Sequence, residues 1–76
     1  MTYEKRSNID DLPAHVQRMV AEHAELADKT DKLTAFLDTP LFAQLDDEDQ
    51  KLLATQLGAM GAYVGALELR LARAGA

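Results

Sequence analysis

Two long segments of the chain carry apolar residues at alternating intervals of four and three, the spacing of a helix packed along one side. The first series runs from Leu12 to Leu37 and the second from Leu53 to Ala74. The positions between these ends are Val16, Met19, His23, Leu26, Thr30 and Leu33, followed by Leu57, Met60, Val64, Leu67 and Leu71. Two helices of about 27 and 28 residues, each about 40 Å long, with a short connection predict an all-α antiparallel hairpin with coiled-coil packing.

The connection between the two segments has helical signals of its own. Pro40 disfavours helical backbone at Thr39, so the first helix is expected to end near Asp38. Thr39 and Pro40 then suit the cap and the first position of a short helical turn. Three apolar side chains of this turn are expected to plug the end of the hairpin: Leu41, Phe42 and Leu45.

Charged residues mark the remaining helix ends. Asp10 and Asp11 precede Leu12 and Pro13, so the first helix is expected to begin there with Pro13 in its first turn. Asp46 suits the cap of the second helix. The first turn of that helix is acidic, its last turn is basic and a glycine follows: Asp47, Glu48, Asp49, Arg70, Arg73 and Gly75. The chain therefore divides into an N-terminal arm, residues 1–11, and a hairpin domain, residues 12–75.

The stretch from Leu52 to Leu67 holds no charged residue, although 28% of the chain is charged. Gly58, Gly61 and Gly65 lie within it at intervals of three and four, which draws a strip without side chains along one helix face. Each glycine costs about 1 kcal/mol relative to alanine, and close approach of another backbone or a ligand is the usual compensation. The sequence therefore predicts a homo-oligomeric bundle centred on the second helix, with five interface residues: Gly58, Gly61, Gly65, Ala62 and Met60.

The composition excludes several classes of protein. A chain of 76 residues holds one domain and buries only about 60% of its unfolded surface, so association of copies would complete the core. Without cysteine it forms no disulfide and no thiolate nucleophile. A net charge of −5 opposes binding to nucleic acid. The chain begins without the apolar core of a signal peptide, and its uncharged stretch of about 16 residues is shorter than a membrane span of roughly 20, which indicates a cytoplasmic protein without a membrane partner.

Three residues of the second helix form a line beside its apolar series, because Gln56, Tyr63 and Arg70 recur at intervals of seven. A Tyr ring stacks on a base, Arg holds a phosphate through two hydrogen bonds, and Gln reads a base edge, which favours a nucleotide site. The same residue types also cover area at the flanks of helix interfaces. The two interpretations are compatible, since pockets between protomers are built from such flanks.

Polar residues of the first helix are open to two interpretations. His23 and Thr30 either face a ligand or a second copy, or they set the register through hydrogen bonds within the bundle. Lys29 and Lys32 either neutralise a bound phosphate or form salt bridges with acidic residues four positions earlier. Three such pairs are available: Arg18 with Glu22, Glu25 with Lys29, and Asp28 with Lys32.

No catalytic or metal-binding pattern is present. The chain has no nucleophile paired with a base, no P-loop, no HExxH and no EF-hand spacing. The sequence therefore predicts a protein that is not an enzyme and uses no cofactor and no metal.

From Glu22 to Arg73 the pattern ExxELxxKxxKLxxFL, the Phe42 and Leu45 plug, and the pattern LLxxQLxAMxxYxxxLxxRL resemble small helical proteins of tailed bacteriophages. The architecture is similar to the helical hairpin of phage anti-CBASS and anti-Thoeris sponge proteins. The resemblance implies oligomers, often hexamers, that sequester cyclic nucleotide or cyclic ADP-ribose immune signals between protomers. It also implies an N-terminal Tyr for base stacking and a downstream Lys for phosphate, roles open to Tyr3 or Tyr63 and to Lys29 or Lys32.

The leading functional prediction is a phage protein of the host cytoplasm that sequesters a small anionic nucleotide signal between its protomers. Tyr63 would stack on the base, and Arg70 and Lys32 would hold phosphate. Two alternatives belong to other classes, namely an interaction module that inhibits a host defence protein, in the manner of an anti-CRISPR protein, and a small structural component of the virion.

Overall fold

The computed structural model describes residues 12–76, which form three helices: α1 from Ala14–Leu37, α2 from Pro40–Ala43 and α3 from Asp47–Arg73. The long helices α1 and α3 pack against each other as an antiparallel hairpin, and α2 lies in the connection between them. This arrangement confirms the predicted hairpin. The N-terminal arm, including Tyr3 and the acidic pair Asp10 and Asp11, lies outside the described residues.

Helix α1 begins at Ala14, directly after Pro13. The prediction that Pro13 lies within the first turn is therefore wrong. Pro13 is the cap residue, with extended backbone at φ −57° and ψ 151°. Its carbonyl accepts the first helical hydrogen bonds, from the amides of Val16 and Gln17, each at 3.0 Å. The Gln17 side chain reaches back and donates to the carbonyl of Leu12 at 2.8 Å. The start of α1 is therefore fixed by the rigid φ of proline and by a glutamine side chain.

The end of α1 agrees with the prediction from Pro40. The helix closes at Leu37, and the amide of Asp38 donates to the carbonyl of Ala35. Thr39 caps α2, because its hydroxyl oxygen accepts from the amide of Phe42 at 3.3 Å. The same hydroxyl donates to the carbonyl of Phe36 at 2.6 Å, so one side chain joins the last turn of α1 to the first turn of α2.

Two apolar residues of the connection face the hairpin, and a third does not. Phe42 packs edge-on against Phe36, with ring centroids 6.1 Å apart at 86°. Leu45 is also partly buried. Leu41 remains 63% exposed, so the prediction that it helps to plug the hairpin is wrong. A helical turn of four residues presents only one side to the hairpin, and Leu41 lies on its other side.

Gln50 holds the connection closed from α3. Its side-chain amide lies 2.9 Å from the carbonyl of Leu45, 3.2 Å from that of Phe42 and 3.3 Å from that of Ala43. The carbonyl of Phe42 also accepts from the backbone amide of Leu45 at 3.0 Å. Gln50 therefore adds a side-chain donor to the carbonyls of the connection and ties the connection to the first turn of α3.

Both ends of α3 are as predicted. The Asp46 carboxylate accepts from the amide of Asp49 at 2.8 Å, and the first turn is acidic while the last is basic. Gly75 has φ +79°, the left-handed conformation that favours glycine after a helix. The amide of Ala76 then donates to the carbonyl of Leu71 at 3.0 Å, which closes the helix end.

The buried core lies at the end of the hairpin where α1 begins and α3 ends. Val16, Met19 and Leu67 are the buried apolar residues of the described chain. Leu12, Leu26 and Leu71 pack against them and are partly buried. Toward the connection the facing residues are only partly buried, so a single hairpin covers one face of each helix and leaves the opposite faces in solvent.

Helix α3 is exposed along most of its apolar length. Its length and composition would allow it to cross a membrane. Only 6% of its apolar 18-residue stretch is buried within the hairpin. A single helix of this kind is weak evidence for a membrane span. What it does establish is a long, weakly apolar surface that one hairpin leaves uncovered.

Candidate functional site

Two polar contacts join α1 to α3 across the apolar seam. The hydroxyl of Tyr63 donates to the carboxylate of Glu22. On the other side of the seam, Nε2 of His23 lies 3.2 Å from a carboxylate oxygen of Glu68. Because Glu22 and His23 are neighbours in sequence and point to opposite sides of the seam, the two contacts fix the register of the hairpin.

This register aligns further residues with Tyr63. In an antiparallel pair, a step of seven residues toward the C-terminus of one helix is matched by a step of seven toward the N-terminus of the other. Both steps return to the same flank of the pair. One heptad toward the connection therefore places Lys29 beside Gln56, and one heptad the other way places His15 beside Arg70. Each step is about 10 Å along the helix axis. The six residues His15, Glu22, Lys29, Gln56, Tyr63 and Arg70 are named the Tyr63 flank from here on.

The Tyr63 flank combines an accessible ring with charged groups on either side. Tyr63 is 45% exposed even though its hydroxyl is bonded to Glu22, so part of the ring is open for stacking. Lys29 and Arg70 are exposed and lie one heptad to either side of the ring. The amide of Gln56 lies 3.9 Å from the sulfur of Met60, a weak contact that a stronger acceptor can replace. The flank therefore offers a stacking surface, two cations and one carboxylate acceptor to a planar anionic ligand.

Other predicted ligand-binding residues lie elsewhere. Lys32 lies three residues after Lys29 on α1 and forms an ion pair with Asp28 at 3.0 Å, as the sequence predicted for that pair. Within the described chain the other two predicted pairs do not form, and Glu22 contacts Tyr63 instead. Tyr3 lies outside the described residues. In a single hairpin the register inferred from Tyr63 and Glu22 places Gln56, Arg70 and Lys29 on one flank with Tyr63, and Lys32 is engaged with Asp28.

The polar residues of the α1 seam find partners inside the hairpin. Thr30 donates to the carbonyl of Leu26 at 2.7 Å, one turn earlier on its own helix. His23 is partly buried and faces Glu68. The His23 contact joins the two helices and suits a role in their register, whereas the Thr30 bond lies within α1 and joins nothing across the seam.

Sequence reasoning missed two side chains that join elements of the hairpin, Glu22 and Gln50. Glu22 was assigned to Arg18 because an i,i+4 pair is visible within one helix. Its position one heptad before Lys29 and two before Phe36 is the signal that places it on a flank facing α3. Gln50 carries no such signal, because its acceptors are carbonyls of a turn whose path depends on tertiary packing.

The predicted interface residues divide between two faces of α3. Gly58 and Gly61 are exposed, Gly65 is partly exposed, and a Cβ added at any of the three would meet nothing within 4 Å. Ala62 is also exposed, whereas Met60 is partly buried on the face toward α1. Nothing within the hairpin approaches the glycines, so their cost in helix stability is not offset inside one copy.

Residues 12–76 enclose no cavity, and they contain no group of three His, Asp or Glu side chains able to hold a metal ion. In a single hairpin the Tyr63 flank is therefore an open surface.

These features define a small all-helical hairpin protein whose polar chemistry is concentrated on one exposed flank. The Sequestin family model matches residues 13–73, which covers both long helices and the connection between them. The chain belongs to the Sequestin family. No curated protein and no solved structure matches it. The family name denotes sequestration, which indicates a protein that binds a ligand.

Proposed function

We propose that this protein is a phage anti-defence protein that binds a small cyclic nucleotide-type immune signal between its protomers and sequesters it without catalysis. The family name supports the sequestering role. The observation that carries the choice of ligand is the half-exposed Tyr63 ring, with Gln56 beside it and with Arg70 and Lys29 one heptad away on either side.

The chemistry of the flank matches the parts of a nucleotide. The Tyr63 ring stacks on the base, which is worth about 1 to 3 kcal/mol per base. Arg70 holds a phosphate through two parallel hydrogen bonds, and Lys29 adds a second positive charge. Glu22 accepts hydrogen bonds and sits against the Tyr63 hydroxyl, so it suits the amino or imino group of a base and repels phosphate.

A second copy of the chain is part of the proposal. The Tyr63 flank is open in one hairpin, and ligand pockets cover most of the surface of a bound small molecule. A second protomer supplies the missing wall. Lys32 pairs with Asp28 in its own copy, and we assign it to a ligand held against the neighbouring copy.

Isothermal titration against cyclic dinucleotides, cyclic trinucleotides and cyclic ADP-ribose isomers tests the proposal. One ligand is expected to bind and to be recovered unchanged after the protein is denatured. Tyr63→Ala is expected to abolish binding, whereas Tyr63→Phe keeps the ring and retains most of it. Absence of heat with every member of the panel, together with one host protein retained in stoichiometric amount, would support the inhibitor of a defence protein instead.

The two lysines provide a matched pair for locating the phosphate. Lys29→Ala removes a cation of the Tyr63 flank, and Lys32→Ala removes one that pairs with Asp28. Weaker binding of Lys29→Ala alone indicates that one protomer holds both base and phosphate. Weaker binding of Lys32→Ala alone indicates that the phosphate lies on the side of α1 that carries Asp28 and Lys32. If neither variant changes the affinity, both lysine assignments are wrong.

A further inference from the structure

A second series at intervals of three and four runs along the outer face of α3. Its eight members are Glu48, Leu52, Thr55, Ala59, Ala62, Ala66, Leu69 and Arg73. All of them are exposed, and Leu52 and Leu69 retain 57% and 70% of their accessible surface. The inner series of α3, which includes Leu67 and Leu71, packs against α1. Helix α3 therefore has two seams on different faces, and the hairpin covers only the inner one. The uncovered series is named the outer seam.

The residue types of the outer seam are arranged symmetrically about its middle. Counting inward from its two ends pairs Glu48 with Arg73 and Leu52 with Leu69. The next pairs are Thr55 with Ala66 and then Ala59 with Ala62, so the smallest side chains lie at the middle. An antiparallel contact between two identical helices joins these pairs, because each residue then lies at the height of its counterpart.

We infer that two copies of the chain pack their α3 helices antiparallel through the outer seam, about a two-fold axis between Ala59 and Ala62. This inference deepens the proposed function, because it rests on the self-association proposed there. A two-fold contact uses the same surface on both copies, so a self-complementary series is what such an interface requires.

The charges at the two ends of α3 favour an antiparallel contact between two copies of the helix over a parallel one. The acidic first turn of α3 and its basic last turn come together at both ends of an antiparallel pair, and Glu48 meets Arg73 twice. A parallel pair would instead place Glu48 against Glu48 and Arg73 against Arg73. The helix dipoles also oppose each other favourably only in the antiparallel arrangement.

Side-chain size selects a close contact. Alanine at the middle of the seam lets the two helices approach at the lower end of the usual interaxial range of about 8 to 10 Å. Gly58 and Gly65 border the seam, and a Cβ added at either would meet nothing within 4 Å in one hairpin. Close approach of a second α3 is the compensation that glycines in a helix interior require.

Single-cysteine variants distinguish the directions, because the chain has no cysteine of its own. Thr55→Cys and Ala66→Cys lie about 16 Å apart along α3. A disulfide needs Cα atoms about 4.4 to 6.8 Å apart. In the antiparallel pair a mixture of the two variants is expected to oxidise to the mixed dimer, while each variant alone remains reduced. Oxidation of each variant with itself would show a parallel contact and overturn the inference.

Charge reversal gives an independent test in solution. Glu48→Arg or Arg73→Glu alone is expected to weaken self-association by about 2- to 30-fold, since each places two like-charged contacts in the dimer. The double variant restores both ion pairs and is expected to associate more tightly than either single variant. If these charges acted only within their own helix, both changes would oppose the helix dipole. The double variant would then self-associate more weakly than either single variant.

Ala62→Glu and Ala21→Glu complete the experiment, since both replace an exposed alanine, one on the outer seam and one on α1. Light scattering is expected to show monomers for Ala62→Glu and unchanged association for Ala21→Glu. A wild-type protein that is monomeric and floats with phosphatidylcholine vesicles would overturn both the inference and the proposed self-association. If the Ala62→Glu variant remains oligomeric and binds the ligand normally, the inference is wrong and the proposed function is not affected.

Discussion

The hydroxyl of Tyr63 and the carboxylate of Glu22 form a hydrogen bond that joins α3 to α1 on the exposed flank of the hairpin. The contact fixes one edge of the Tyr63 ring and leaves its face partly open. The same tyrosine therefore contributes to the register of the two helices and to the proposed ligand site.

Tyr63→Phe is expected to lower the free energy of unfolding by about 0.5 to 1.5 kcal/mol, because it removes one hydrogen bond and keeps the ring. Glu22→Ala removes the acceptor and is expected to lower the free energy of unfolding by a similar amount. A double-mutant cycle in urea, at one protein concentration, measures the coupling between the two side chains. Additive effects of the two changes would show that the contact contributes nothing to stability.

Leu67→Ala is expected to cost about 2 to 5 kcal/mol, since Leu67 is fully buried between α1 and α3. A chain of this size has little stability in reserve, so much of the variant is expected to be unfolded at 37 °C. Leu41→Ala is the matched control, because Leu41 is largely exposed and outside the outer seam. Its thermal unfolding should lie within about 0.5 kcal/mol of the wild type. Equal losses for the two variants would contradict the position of the core.

Gln50→Ala is expected to destabilise the hairpin by about 1 to 2 kcal/mol, because three carbonyls of the connection lose their side-chain donor. Gln44→Ala removes a similar amide from the exposed end of α2 and serves as the control. Faster hydrogen exchange in the connection of the Gln50 variant alone would locate the effect. Identical denaturation curves for the two variants would refute the role given to Gln50.

Gly58→Ala is expected to have opposite effects at low and high protein concentration. In a free hairpin the new Cβ meets nothing within 4 Å, and alanine favours the helix by about 0.5 to 1 kcal/mol. In the self-associated form the methyl group borders the outer seam and hinders close approach. Thermal unfolding at micromolar and millimolar concentration should therefore show a gain that shrinks or reverses as copies associate. A gain that is independent of concentration would place Gly58 outside any interface.

The parts of the fold that the sequence predicted correctly depend on interactions between residues close together in the chain. The two apolar series, the cap at Thr39, the acidic start of α3 and the position of Gly75 act within a few residues of one another, and all are found in the structure. The errors lie where two elements compete. Pro13 serves as a cap and not as a residue of the first turn, and Leu41 remains exposed because α2 is too short to bury both of its sides.

The candidate site could be predicted only in part. The spacing of seven placed Gln56, Tyr63 and Arg70 in one line, because helical periodicity depends on a single helix. The choice between Lys29 and Lys32 depends on which side of α1 faces that line, and this is decided by the contacts of Glu22 and His23 across the seam.

Two amphipathic helices, their ends and a neutral, glycine-rich stretch of α3 follow from the sequence alone, because these properties arise from residues less than two turns apart. The contact of Glu22 with Tyr63, and the packing of one face of α3 on α1 while the other face stays in solvent, required the folded hairpin. The physical reason is that register and facing depend on contacts between residues some forty positions apart, such as those linking α1 to α3.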